Sequence, residues 1–333
     1  MRHLLRRLLF YAVALWVAIT VNFFIPRLAP GDPASAFIGK ILRAGGRVDP
    51  GQLAAIRQML GVDTTDPLWV QYFKYLGELL HGRFGVSVTY FPASVTEIIG
   101  SGIMWTIGLG LVSVIIGCVV GWAIGILLAW KRGSVLDTLL APGMTFLYGI
   151  PYFWLALLLL YIFGATLHWF PLNQGYDVIN TIPGWNADFI LSVIQHGILP
   201  AGTIVIASLA GWMLLMRNTM IATLSEDYVL MAEAKGLRQG RVLFAYAARN
   251  ALLPNLTNFA IALGFIVAGQ LLTEYVFSYP GIGFYLLQGV ASLDYALVQS
   301  IFLIITVAVL GANFLAEMLY TVLDPRVRQE GTA

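Results

Sequence analysis

The residues of this chain that could carry chemistry are few and far apart. His3, His81, His168 and His196 are scattered, and none sits in the His-Glu-x-x-His arrangement that sets two imidazoles on one helix face for zinc. Cys118 is the only cysteine, so no disulfide framework or cysteine-based zinc site can form within the chain. No Gly-x-Ser-x-Gly occurs to present a serine nucleophile. Of Lys40, Lys74, Lys131 and Lys235, only Lys40 follows a glycine, and Ile41 stands where a phosphate-cradling loop needs Ser or Thr. The sequence therefore reads as a protein that catalyses no covalent reaction and holds no nucleotide of its own. Any uphill work it performs must draw energy from a partner.

The elements that frame these residues are set by composition. The chain is 59% hydrophobic and 11% charged, where soluble domains average roughly 45–50% and about 25%. A net charge of +2 over 333 residues is too small to argue for nucleic acid. A helix needs about 20 apolar residues to cross a bilayer, and six such runs occur, near 8–25, 103–129, 142–167, 198–216, 255–273 and 298–323. The expected fold is all-α and membrane-integral, with six transmembrane helices.

Orientation follows from Lys and Arg, which collect in short cytoplasmic loops. With the N-terminus inside, Arg2, Arg6, Arg7, Lys131, Arg132, Arg217, Lys235, Arg238, Arg241, Arg249, Arg326 and Arg328 all fall inside, while the outside loops near 168–197 and 274–297 hold none. Arg2, Arg6 and Arg7 before an apolar run, with Ala34-Ser35-Ala36 beyond, also fit a signal peptide. The length of the run, and Pro26, Arg27 and Asp32 before the possible cut, favour an uncleaved anchor.

The long outside loop carries two predicted short helices. Asp49-Pro50 opens one that Gly61 closes, and Asp66-Pro67 opens another that Gly82 closes. In the second, Leu68, Trp69, Tyr72, Phe73, Leu76, Leu79 and Leu80 recur at helical spacing, as for a helix lying on headgroups or capping the bundle. Ion coupling usually needs carboxylates within the spans. Only Glu274, at the outer end of the fifth run, and Glu317, within reach of Arg326 or Arg328, come close. A solitary ion-coupled carrier would have to work through Glu317.

The cytoplasmic segment 217–254 is organised unlike a loop. Ser225-Glu226-Asp227 reads as a helix start, Lys235-Gly236 as a basic last turn and a glycine stop, and a second helical pattern runs from Arg241 to Leu253, before Pro254. A helix, a glycine turn and a second helix make a rigid protrusion that can transmit force to a docked soluble subunit.

Several motifs together resemble one family, the oligopeptide/dipeptide permeases of bacterial ABC importers, or binding-protein-dependent transport inner-membrane components. They are Pro30-Gly31-Asp32-Pro33, Gln71-Tyr72, Ile150-Pro151-Tyr152-Phe153-Trp154, Glu226-Asp227-Tyr228-Val229 through Ala232-Glu233-Ala234-Lys235-Gly236-Leu237, Arg249-Asn250-Ala251-Leu252-Leu253-Pro254, Phe277-Ser278-Tyr279-Pro280-Gly281-Ile282-Gly283 and Leu323-Asp324-Pro325-Arg326-Val327-Arg328. The likeness covers nearly the whole chain. It departs at Glu233, where the family often has a basic residue.

The resemblance implies a type I ABC importer permease fold in a bacterial inner membrane. It implies a first transmembrane helix within 1–25, an extracytoplasmic loop domain over 26–93, a transmembrane domain over 94–323 with coupling loop 217–254, and a cytoplasmic tail over 324–333. The implied partners are a second homologous permease, two ATP-binding subunits that hold ATP and magnesium, an extracytoplasmic solute-binding protein and membrane lipid. No cofactor is expected on this chain, and the cargo is di- or oligopeptide, with oligosaccharide or nickel chelate as alternatives. Tyr228, Ala232, Glu233, Ala234, Lys235, Gly236, Leu237, Arg249 and Asn250 are the expected ATPase-coupling residues. Pro151, Phe153, Trp154, Pro280 and Gly281 are candidates for the pathway or its gate.

Three further signals concern packing. Ile150-Pro151 interrupts the third run, where proline removes a backbone donor and kinks a helix. Gly117, Gly121 and Gly125 form a stripe at four-residue spacing that lets a second helix approach. Trp169, Tyr176, Asp177, Trp185 and Asp188 give the outside loop an aromatic and acidic character suited to the membrane interface.

Overall fold

The computed structural model describes residues 2–28, 37–39, 41–42, 49 and 66–323. The 30–33 turn, the helix expected between Asp49 and Gly61, and the 324–328 motif lie outside the described residues, as does the side chain of Glu317. Along the chain run α1 (Arg2–Leu28), α2 (Leu68–Leu80), α3 (Val95–Trp130), α4 (Val135–Tyr148) and α5 (Tyr152–Leu159, continuing with wider π-type turns over Leu160–Thr166). Then come α6 (Ala187–Leu224), α7 (Asp227–Ala234), α8 (Gln239–Arg241, widening over Val242–Ala248), α9 (Arg249–Gly264), α10 (Ile266–Gly269), α11 (Leu271–Val276), α12 (Ile282–Ala291) and α13 (Tyr295–Leu323). Among the described residues the only β pairing is an isolated bridge, Val86 to Ser94.

Among the described residues, four helices are long and apolar enough to cross a membrane: α1, α3, α6 and α13. A fifth crossing is made if α4 and α5 count together, although they are bent by 99°. The bend sits where the sequence puts Ile150-Pro151. The ring of Pro151 disfavours helical geometry at Ile150, and Pro151 itself starts α5 with φ −58° and ψ 129°. The run 255–273 is a different case. Its expected single helix is divided into α9, α10 and α11, with breaks at Phe265 and Gln270.

Pro254 stops nothing. The second helix of the 217–254 segment, expected to end before it, runs through it to Gly264. Neighbouring helices can make good the hydrogen bond that a proline removes. Here the buried Asn255 fastens the same turn, donating to the Ala251 carbonyl at 2.8 Å and to the Thr219 hydroxyl of α6 at 2.9 Å.

The chain divides into two compact units, Met1–Thr106 with Pro280–Gly311, and Ile107–Tyr279 with Ala312–Ala333. In the first, α1 is tied to α13 by reciprocal amides: Asn22 donates to the Gln299 carbonyl at 2.6 Å and Gln299 to that of Asn22 at 3.0 Å. The predicted amphipathic helix is α2. It closes as expected, with Gly82 at φ +67° and Arg83 N–H bonding back to Glu78. Tyr72 and Tyr75 pack on the buried Phe23 of α1 at ring separations of 5.2 and 5.5 Å, while Trp69, Phe73 and Leu80 face outward. Ser94 and Glu97 exchange backbone and side-chain bonds to start α3, a capping box. Asp294, fully buried, accepts from the Ser87 hydroxyl at 2.5 Å and from Thr89 N–H at 2.8 Å, and caps α13 through Leu297 N–H.

The second unit is organised around α6. The glycine stripe on α3 lies against it: a methyl group added at Gly125 would come 2.6 Å from the Met213 carbonyl oxygen, and one at Gly121 3.1 Å from Met213 N. Gly110, outside the stripe, is also closely packed, against Ile266 and Gln270, whereas Gly108 on the same helix has open space. Dispersion and close backbone approach are the main attractions available between helices in lipid. Gly125→Ala therefore drives a methyl into helix backbone and lowers the thermal denaturation midpoint of the detergent-solubilised protein, while Gly108→Ala leaves it unchanged or raised; fluorescence-detected size exclusion after a heating series reads both.

Candidate functional site

The hairpin over 226–248 is built as its sequence implies. α7 starts after Glu226 and ends at Lys235 with two bonds, Gly236 N–H to the Glu233 carbonyl at 2.8 Å and Leu237 N–H to that of Ala232 at 3.4 Å. This double closure is the Schellman motif, and it needs a left-handed residue after the cap. Gly236 supplies it, with φ +72°. Inside the hairpin Val229 and Ala232 pack on Val242, with Leu224, Leu237 and Tyr246 around them. A second apolar cluster, Met216, Met220, Ala129, Ala247, Ala248 and Ala251, continues this packing into the body of the unit.

Its outward surface is mixed. Glu226, Asp227, Glu233, Ala234, Lys235 and Gly236 are exposed, and so are Tyr228, Leu230, Met231 and Phe244. Of the residues singled out from sequence, Ala232 is buried and Leu237 half-buried, so both brace the hairpin from within. Arg249 and Asn250 are exposed at the start of α9, where the Asn250 amide donates to the Tyr246 carbonyl at 3.0 Å. Leu230, Met231 and Phe244 were not singled out. Their signal was there, since large apolar side chains on a charged segment have no reason to face water unless something covers them.

The hairpin joins the rest of the unit through α6, whose C-terminal part is held to α4. Arg217 donates through Nε and Nη2 to the two carboxylate oxygens of Asp137, at 2.7 and 2.9 Å. Asp137 is buried and also accepts from Gly133 N–H at 3.1 Å. Read from the apolar runs alone, both residues fell just outside the spans, because the helices extend beyond the runs that reveal them.

The pathway candidates fall in separate places. Pro151 lines a cavity of about 400 Å³ in the second unit, with Tyr148, Gly149, Ile150, Tyr152, Ile204, Ala207, Ser208 and Thr273. Phe153 is half-buried and Trp154 exposed, and neither lines it. Pro280 and Gly281 belong to the first unit, where Gly281 is buried and begins α12. Glu274, expected at the outer end of a span, is fully buried in α11. In the loop before α6, Trp169 and Trp185 are exposed, and Asp177 accepts from Ile179 N–H, Asn180 N–H and the Asn180 amide. Those bonds, the Asn180 side chain first, hold the Asp177 carboxyl below its ordinary range. Among the described residues no cluster of His, Cys, Asp and Glu could hold a metal.

Comparison with known proteins decides what kind of machine carries this hairpin. Residues 121–329 match the family described as binding-protein-dependent transport system inner membrane component, and residues 1–96 match the N-terminal region of the same kind of membrane component. The chain belongs to this permease family. It is 35% identical to a di/tripeptide transport system permease protein of Pseudomonas aeruginosa, over 93% of this chain and 94% of the relative. It is 32% identical to an oligopeptide transport system permease protein of Bacillus subtilis, over 98% of each. It is also 33% identical to a dipeptide transport system permease protein of Escherichia coli K12, over 99% of each. The permease is thus a non-catalytic, multi-pass inner-membrane subunit of a binding-protein-dependent transport system with other subunits.

Two outcomes follow for the permease. Arg217→Met strands the Asp137 carboxylate of this part-buried pair and costs about 1–3 kcal/mol, the range for a charged group left without its partner; Arg217→Lys, unable to form the fork, recovers part of it, and melting curves of the purified variants rank the three. The depressed pKa of Asp177 gives its turn stability that is full above the unfolded carboxylate pKa and is lost as pH falls through the lower folded value. Hydrogen exchange at Ile179 and Asn180 accordingly stays protected at neutral pH and opens only at acidity below the ordinary carboxylate range.

Proposed function

We propose that this chain is a translocation subunit of an ATP-driven importer of di- and oligopeptides. It crosses the membrane six times, with both termini in the cytoplasm. The crossings are α1, α3, the bent pair α4 and α5, α6, the broken series α9 to α11, and α13. The distribution of Lys and Arg supports this orientation. Peptide cargo is supported by the three relatives, each described as a permease of a di/tripeptide, oligopeptide or dipeptide system.

The observation that carries the mechanism is the hairpin, closed at Gly236 and packed from within by Val229, Ala232 and Val242. A segment held this way moves as one piece. In this reading Tyr228, Glu233, Ala234, Lys235 and Gly236 present the coupling surface to two ATP-binding partners, Arg249 and Asn250 border it, and Ala232 and Leu237 keep it rigid. The partners bind ATP and magnesium, and their closure pushes the hairpin and, through α6, the helices that frame the path. A second related permease completes that path, and an extracytoplasmic binding protein delivers the peptide. Residues 26–93 form the outside loop domain, 94–323 the core transmembrane domain, and 324–333 the cytoplasmic tail.

Gly236→Pro is the sharpest test, because proline cannot adopt φ +72° and also lacks the N–H that Gly236 gives to Glu233. Reconstituted with its partners, this variant inserts in the membrane normally but loses peptide-stimulated ATP hydrolysis and uptake. Gly236→Ala, which faces only the roughly 1–2 kcal/mol of a left-handed L-residue, retains part of both. Wild-type uptake and stimulation in the proline variant would remove the hairpin from the coupling route.

A further inference from the structure

The cavity at the bend between α4 and α5 has features that packing alone does not require. Its wall is the bend itself, Tyr148 to Tyr152, and its floor is α6 at Ile204, Ala207 and Ser208. The floor is kept low by small side chains, and one turn on, a methyl added at Gly211 would meet the Tyr148 ring at 3.4 Å. No charged side chain lines it. The last lining residue, Thr273, comes from α11.

Thr273 is the odd member of a consistent set. Threonines in these helices normally return their hydroxyl proton to the carbonyl four residues back, as Thr203 does to Leu199, Thr219 to Leu215, Thr223 to Thr219 and Thr145 to Ala141. For Thr273 that position is Gly269, on the far side of the break at Gln270. The residue is fully buried at the edge of the cavity, and among the described residues its hydroxyl has no hydrogen-bond partner. The Gln270 side-chain oxygen, three residues earlier and also buried, is likewise unpaired among the described residues. An unmet buried polar group costs roughly 1–3 kcal/mol, which a hydrogen bond from an entering ligand would recover.

We propose that this cavity is a cargo subsite that receives one apolar or aromatic side chain of a transported peptide, with the Thr273 hydroxyl bonding a cargo amide. The assignment rests on the peptide-import reading above. The volume of about 400 Å³ lies at the small end of ligand pockets, roughly 300–1,000 Å³, enough for a side chain and its neighbouring amide but not for a folded partner. Tyr148 and Tyr152 give the walls aromatic faces, and the absence of charge among the lining residues penalises a charged side chain by desolvation.

The test uses the complete transporter in proteoliposomes with its ATPases and binding protein. A dipeptide carrying benzoyl-phenylalanine is photolysed during turnover, and its adducts are mapped by mass spectrometry. Adducts within 148–152 or 204–208 are expected, and Ala207→Phe, which fills the floor, removes them. The same variant lowers uptake of Phe-Ala about tenfold while Ala-Ala stays within about twofold, and Thr273→Val lowers both several-fold, the size of one lost hydrogen bond. Adducts confined to other segments, or unchanged Phe-Ala to Ala-Ala selectivity in Ala207→Phe together with unchanged uptake in Thr273→Val, overturn the subsite while leaving peptide import standing. A wild-type complex that takes up no peptide overturns the import reading, and the subsite with it.

Discussion

Hydrocarbon offers no hydrogen bonds, so every backbone N–H and C=O within a membrane must be satisfied by the chain itself. This constraint fixes the helical character of the structure and makes each departure from a helix informative. Where the chain leaves helical geometry it does so with a stated replacement. At the 99° bend, Gly149 and Ile150 N–H bond three residues back, to Phe146 and Leu147, and Trp154 N–H bonds to Pro151 across the new helix start. At the 226–248 hairpin the two bonds around Gly236 play the same part. The break at Gln270 differs, because it releases side chains that elsewhere would be satisfied along the helix.

Much of this architecture was legible in the sequence, and for physical reasons. Apolar runs report lipid directly, so α1, α3, α6 and α13 announce themselves. Gly236, Gly82 and Pro151 act through local backbone sterics, which a sequence carries with it. The stripe at Gly117, Gly121 and Gly125 was readable because small residues at helical spacing have one common use in lipid. What was not readable depends on distant partners. Gly264 and Gly269 stand just before the breaks at Phe265 and Gln270, but glycine is common in membrane helices, so neither marks a break by itself. Pro254, which should have stopped a helix, is carried by α9 through to Gly264, with Asn255 fastening the turn to Thr219.

The candidate residues divide along the same line. The exposed face of the hairpin, from Tyr228 to Gly236, could be found because its motif is local. The cavity could not, since its lining is drawn from three stretches of chain more than fifty residues apart at the nearest, 148–152 against 204–208, with Thr273 farther still. Ala232 shows the limit from the other side. Its place in the motif is evident, but only packing reveals that it faces Val229 and Val242 and not the hairpin's exposed surface.

The pairing of Asp137 with Arg217 has a geometrical meaning as well as an energetic one. A single hydrogen bond between two helices acts as a pivot, about which either can roll. Two parallel bonds from a planar guanidinium to a planar carboxylate act as a key in a slot, because rolling either helix would break one bond while stretching the other. The Asp137 end of α4 and the Arg217 end of α6 therefore share one axial rotation. In the proposed coupling mechanism, a twist entering α6 from the hairpin would reach the 148–152 bend as torque on the whole of α4, without slippage where the two helices meet.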